Sequence, residues 1–108
     1  MHKCHHYPVN RLSLDGFDWD AGNSAKCLVH GIALAEVESV FDNCPLVGPD
    51  PFDPAIERRW RAIGRAASGR PAFVVFAVRD AGNLRLIRPI SARYMHAKEV
   101  RKYEQHQD

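Results

Sequence analysis

The stretch Glu57-Arg58-Arg59-Trp60-Arg61-Ala62-Ile63-Gly64-Arg65 decides how this chain folds. Read as a β-strand, its side chains alternate between two faces. Arg59, Arg61, Ile63 and Arg65 then share one face, and Arg58, Trp60, Ala62 and Gly64 the other. Arginine is costly to bury unpaired, so the first face is expected to meet solvent and the Trp60 face the core. A row of guanidinium forks matches the oxygens of a polyanion. The plainer reading is the solvated face of an ordinary antiparallel strand.

C-terminal to this stretch, Ser68-Gly69 predicts a turn. Ala72–Val78 is apolar at every position, the pattern of a central strand covered on both sides. Arg79 ends it, and Asp80-Ala81-Gly82-Asn83 predicts a hairpin turn. Leu84–Arg88 is the last predicted strand, and Pro89 marks an edge or a bulge. Ser91 is placed to cap a closing helix over Ala92–Gln105, with His96, Val100 and Tyr103 on one face.

N-terminal to it, the run Pro49–Pro54 holds three prolines and predicts a loop. Leu46-Val47 starts a strand. A helix is predicted over Ala33–Asp42, with Leu34, Val37, Val40 and Phe41 on its apolar face. Another is predicted over Ala21–His30, capped by Asp20 and ended by Gly31. Phe17-Asp18-Trp19 reads as a short strand. The predicted architecture is α+β: β-α-α, then an antiparallel sheet of three to four strands, then a C-terminal helix. Residues 1–14 lack an apolar period and read as an extension that can be deleted without loss of fold, leaving 15–108 as one domain.

The chain has 108 residues and a net charge of +2, which hides an asymmetry. Residues 1–55 hold three Lys/Arg against eight Asp/Glu, a net of −5; residues 56–108 hold twelve against five, a net of +7. A basic surface built by the second half suits nucleic acid or an acidic protein. No apolar run approaches the ~20 residues of a membrane span, and no stretch resembles a secretory signal. Cys4, Cys27 and Cys44 read as reduced thiols, hence a cytoplasmic protein. His2, Cys4, His5 and His6 are metal-ligating types, but their spacing fits no structural zinc pattern, so no metal site is expected.

Several pieces in order resemble the BrnT family, the toxin half of a type II toxin–antitoxin pair. They are Phe17-Asp18-Trp19-Asp20, His30-Gly31, Val40-Phe41-Asp42, Glu57-Arg58-Arg59-Trp60, Gly64-Arg65 and Ile90-Ser91-Ala92-Arg93, with Glu99 and Tyr103-Glu104 following. The chain departs from the family pattern at Val29, Ala33, Ala66 and Pro89. The resemblance implies a RelE-like fold, a ribonuclease that blocks translation, and a cognate DNA-binding antitoxin through which any DNA contact would run.

RNA cleavage without metal uses the neighbouring 2′-hydroxyl as nucleophile. It needs a base for that hydroxyl, an acid for the leaving 5′-oxygen, and positive charge for the phosphate. Arg65, Arg79 and Arg93 are candidate phosphate clamps in catalysis, with Arg93 expected in the first turn of the terminal helix, where backbone N–H groups also favour an anion. Arg59, Arg61, Arg85 and Arg88 are candidate RNA-binding residues. Candidates for proton transfer are His30, Glu57, Glu99 and Tyr103. No cofactor is expected. Each candidate has a structural alternative: His30 can neutralise a helix C-terminus, Tyr103 can be a packing residue, and Glu99 can pair with Lys98 or Lys102. A non-catalytic basic module for nucleic acid or an acidic partner therefore stays open.

Overall fold

The computed structural model describes residues 15–105. Helices α1 (Ala21–Leu28) and α2 (Leu34–Asp42) come first. They are followed by strands β1 (Leu46–Pro49), β2 (Trp60–Arg65), β3 (Pro71–Ala81) and β4 (Leu84–Tyr94), then helix α3 (Ala97–Glu104). The four strands form one antiparallel sheet in sequence order, β1-β2-β3-β4. The α+β class and the strand count agree with the sequence reading. Residues 1–14, including the four candidate metal-ligating side chains, lie outside the described residues.

The Arg-rich strand alternates as its sequence demands. Ala62 and Gly64 are buried beneath α2, while Arg61, Ile63 and Arg65 turn to the opposite, outer face. The inner face joins Val74 and Phe76 of β3 and Ile87 and Ala92 of β4 to Cys27, Ile32, Val37, Val40 and Phe41. Phe17, Phe41 and Phe76 run through this core edge to face, at 5.7 and 5.1 Å between centroids. Gly64 is required by close approach rather than by its backbone angles: a Cβ there would sit 2.9 Å from Pro45 Cβ and 3.1 Å from Pro45 Cα.

Helix α1 starts where Asp20 predicts. Asn23 N–H donates to Asp20 Oδ1 (3.1 Å), and Asp20 N–H donates back to Asn23 Oδ1 (2.7 Å). The Asn23 amide also donates to the carbonyls of Asp18 (2.9 Å) and Pro89 (2.8 Å), which ties the helix start to β4. Asn23 is 4 % exposed. Asn23→Ala strands two carbonyls and an N–H, and an unsatisfied buried group costs about 1–3 kcal/mol. We expect a loss of about 2 kcal/mol, read as a lower denaturant midpoint at unchanged slope; a shift under about 0.5 kcal/mol would show that water replaces the amide.

Several boundaries differ from the sequence reading. The largest difference is at the C-terminus. Ser91 does not cap a helix; β4 continues through Tyr94, and α3 begins at Ala97 with His96 as its N-cap. Ser91, Ala92, Arg93 and Tyr94 pair with Val75, Val74, Phe73 and Ala72, so ladder hydrogen bonds and the burial of Ala92 override a local capping signal. Pro89 is passed by a bulge: Phe76 pairs with Pro89 and Val75 with Ser91, leaving Ile90 as the extra residue. Arg93 is therefore a strand residue, not a residue of the helix first turn.

Other corrections are smaller. Phe17–Trp19 makes a single parallel bridge to Ile87 instead of a strand. Pairing in the Arg-rich strand begins at Trp60, with Glu57–Arg59 in the preceding loop. Strand β3 continues to Ala81 and turns tightly at Gly82-Asn83, where Gly82 takes φ +63. Helix α1 ends at Leu28, and Gly31 takes φ +79. Val74 and Phe76 are buried beneath the helices, whereas Phe73 and Val75 on the outer side are half-buried, so the strand is not covered equally on both faces. His96 is exposed, whereas Tyr103 is buried. Among the cysteines, Cys27 is a free buried thiol whose pKa burial pushes up to about 11, whereas Cys44 is disulfide-bonded, against the reading of three thiols. No helix among the described residues is long and apolar enough to cross a membrane.

Candidate active site

The outer face of the sheet carries five arginines from its strands. By strand register, Arg61 and Arg65 of β2, Phe73, Val75 and Arg79 of β3, and Arg88, Ser91 and Arg93 of β4 all point there. The tertiary structure divides them into two groups at opposite ends of the face.

At one end a groove of about 250 Å³ opens between the sheet and α1. Glu57, Arg59, Arg79 and Arg88 line it together with Lys26 of α1. Arg59 Nε donates to Glu57 Oε1 at 2.8 Å, and Arg79 Nη2 donates to Glu57 Oε2 at 3.0 Å. The carboxylate is thus gripped from the loop on one side and from β3 on the other. The Arg59 hydrogen bond, with smaller help from Arg79, holds the Glu57 carboxyl below the usual carboxylate range against the opposing effect of burial. It is ionised at neutral pH. Arg59 is further fixed by its guanidinium, 3.7 Å from the centroid of Phe52. Arg88 is oriented by Asp20 (2.8 Å) and Asp18 (3.3 Å) at the start of α1.

At the other end α3 lies on the sheet. Arg93 donates from both terminal nitrogens to Glu99, at 2.7 and 2.8 Å, a bidentate pair. Arg65 donates to Glu104 at 2.6 Å. Tyr103 of the same helix is 7 % exposed. Arg61 is paired with Asp50 at 2.8 Å. A family comparison bears on this arrangement: the model described as the ribonuclease toxin, BrnT, of type II toxin–antitoxin system matches residues 19–99. The chain belongs to the BrnT family of ribonuclease toxins. No curated protein matches it.

The BrnT match takes in every charged residue of the first groove and the Arg93–Glu99 pair, and it stops before Tyr103 and Glu104. Of the residues singled out in the sequence, Glu57, Arg59, Arg79 and Arg88 come together in one groove. Arg61, Arg65, Arg93, Glu99 and Tyr103 gather around α3. Two stand apart. Arg85 pairs with Asp80 across the β3–β4 hairpin at 2.9 Å. His30 is exposed just past the end of α1 and lines neither groove. Among the described residues no group of three His, Cys, Asp or Glu is placed to hold a metal ion.

Sequence reasoning missed Lys26, Asp18 and Asp20. Lys26 sits in the last turn of α1, where a cation ordinarily serves the helix dipole. Only the docking of α1 on β4 brings it to the arginines.

The Glu99 pair gives this BrnT chain an acid-sensitive joint. Hydrogen bonds from Arg93, then from the His96 N–H, pull the Glu99 carboxyl from 4.5 to about 2. A folded-state pKa below the unfolded one contributes stability that is full above about pH 4.5 and is lost as pH falls towards 2. Amide exchange across α3 is expected to rise through that window. In Glu99→Gln it is expected to be fast already at neutral pH, with the acid step removed. Identical profiles for the two chains would show that α3 does not depend on this pair.

Proposed function

We propose that the chain is a metal-independent RNA endonuclease that works in the groove of Glu57, Arg59, Arg79, Arg88 and Lys26. The carrying observation is Glu57 held ionised between two guanidiniums beside two further cations. In this reading Glu57 takes the proton of a ribose 2′-hydroxyl. The 2′-oxygen attacks the adjacent phosphorus, and the bond to the 5′-oxygen breaks, leaving a 2′,3′-cyclic phosphate. The Lys26 ammonium supplies the proton that the 5′-oxygen takes up. Arg59, Arg79 and Arg88 stabilise the extra negative charge on the phosphate as it becomes five-coordinate. Arg65, Arg93, Glu99 and Tyr103 then serve by fixing α3. In this account the target is cytoplasmic RNA, and a cognate DNA-binding antitoxin neutralises the toxin by covering the basic face.

The experiment is cleavage of RNA by purified, partner-free chain with EDTA present. Cleavage that persists and leaves cyclic-phosphate ends is the expected result; loss of cleavage in EDTA overturns metal independence. One observation favours the alternative of a non-catalytic binding module: the two described histidines, His30 and His96, lie outside the groove. RNA bound and never cut would favour that reading.

Contact with three or four phosphates on single-stranded RNA gives a log–log salt slope of about −2 to −3. Filter binding between 50 and 200 mM salt tests this, and a flat response would remove the basic face as the RNA surface.

A further inference from the structure

The mechanism above leaves unused the groove beneath α3. It has a volume of about 420 Å³ and is lined by Arg61, Ile63, Phe73, Met95, Glu99 and Tyr103, among others. Its floor is apolar, and its charged rim carries Arg61 and Lys102 beside Glu99. Two guanidiniums stand over the half-buried Phe73 ring, Arg61 at 5.4 Å and Arg93 at 4.9 Å from its centroid. Both are held in place by carboxylates, Asp50 and Glu99, so neither has to be ordered when a ligand arrives. An apolar floor gives a bare phosphate nothing to bond. A charged rim gives a hydrocarbon chain no advantage. A flat π-system carried on an anionic backbone satisfies both: its face stacks on aromatic and guanidinium planes while its phosphates meet the rim.

We propose that this groove is a base-stacking subsite for single-stranded RNA, whose stacking surface is the Phe73 ring together with the Arg61 and Arg93 guanidinium planes over it. It lies on the same sheet face as the Glu57 groove. Phe73 and Arg79 are six residues apart on β3, roughly 20 Å at 3.3 Å per residue, while Arg61 follows Arg59 by two residues, so one RNA strand can run from one groove into the other. The proposal shares with the proposed function only the premise that RNA is the ligand. Cleavage is not needed for it.

The test uses the full chain carrying Glu57→Gln, so that RNA remains intact during binding. Two probes of equal length and charge are compared by fluorescence anisotropy: a ten-nucleotide oligoadenylate and the same ribose-phosphate chain without bases. Stacking on one aromatic side chain is worth roughly a five- to hundredfold change in affinity. The oligoadenylate is expected to bind at least tenfold tighter than the abasic chain, and Phe73→Leu is expected to reduce that ratio about tenfold while leaving abasic binding unchanged. A ratio that Phe73→Leu does not alter overturns the subsite. Should Phe73→Leu fail to fold, photo-cross-linking of 4-thiouridine RNA to the parent chain decides instead: adducts on the peptide holding Phe73 or on α3 support the proposal, and adducts confined elsewhere overturn it. Failure of the two readings is distinguishable. A base-dependent ratio with no cleavage by the chain that keeps Glu57 removes the nuclease and leaves the subsite, whereas cleavage with equal affinity for both probes does the reverse.

Discussion

Glu57→Gln is expected to reduce RNA cleavage by about 10²–10⁴-fold, the ordinary contribution of a positioned general base. The substitution keeps the shape of the side chain and its acceptor oxygen, so the contact to Arg59 can persist in neutral form. It removes the charge that accepts the proton. The loss should fall on kcat, with RNA affinity unchanged or higher, because one negative charge leaves a groove lined by Lys26, Arg59, Arg79 and Arg88. Glu57→Asp should recover part of the rate, since the carboxylate is retained but drawn back by one methylene. The measurement is single-turnover cleavage of a defined oligonucleotide, with thermal melting as the control for fold. Full cleavage by the glutamine variant at wild-type stability would show that Glu57 only braces Arg59 and Arg79. In that case the base must be sought elsewhere on the face.

The largest expected effect on stability is at a residue that touches no charge. Gly64→Ala places a methyl 2.9 Å from Pro45 Cβ and 3.1 Å from its backbone Cα, with Val40 Cγ1 behind at 3.5 Å. Pro45 is fully buried and sits between α2 and β1, so it has little room to yield. Overpacking of this kind costs about 1–3 kcal/mol and occasionally more. We expect about 3 kcal/mol, a fall in Tm on the order of 15 °C for a domain of this size. Gly48→Ala on β1 is the matched control. No atom lies within 4 Å of a Cβ placed there, and its change should stay within about 0.5 kcal/mol. Equal melting of Gly64→Ala and Gly48→Ala would mean that α2 and β1 do not approach β2 as closely as described.

Both predictions bear on strand β2, and they separate what alternation reveals from what it conceals. A period of two assigns faces, so the arginine face of β2, the buried Ala62 and Gly64, and the strand identity of Ala72–Val78 were readable from residues alone. Local chemistry also located the Asp20 cap, the turn at Gly69, a bulge at Pro89 and the proline loop, although Pro49 at its start pairs with Trp60 as the last residue of β1. These signals act over a few residues, where backbone preference and capping dominate. Alternation does not say which arginine will stand beside which carboxylate, because that depends on register between strands and on where helices dock. Ser91 looked like a cap until β3 offered Ser91–Tyr94 a ladder partner, and the free energy of four paired, partly buried residues exceeds that of one cap. That extension moved Arg93 from a helix to a strand and gave it Glu99 as a partner. The docking of α1 on β4 brought Lys26 into the groove of Glu57 and left His30 exposed beyond the end of the helix. The sequence by itself determined an α+β chain with a basic sheet face. Only tertiary packing divided that face into an ionic groove at Glu57 and an aromatic one at Phe73, because contacts between residues distant in the chain are set by burial and pairing over the whole molecule.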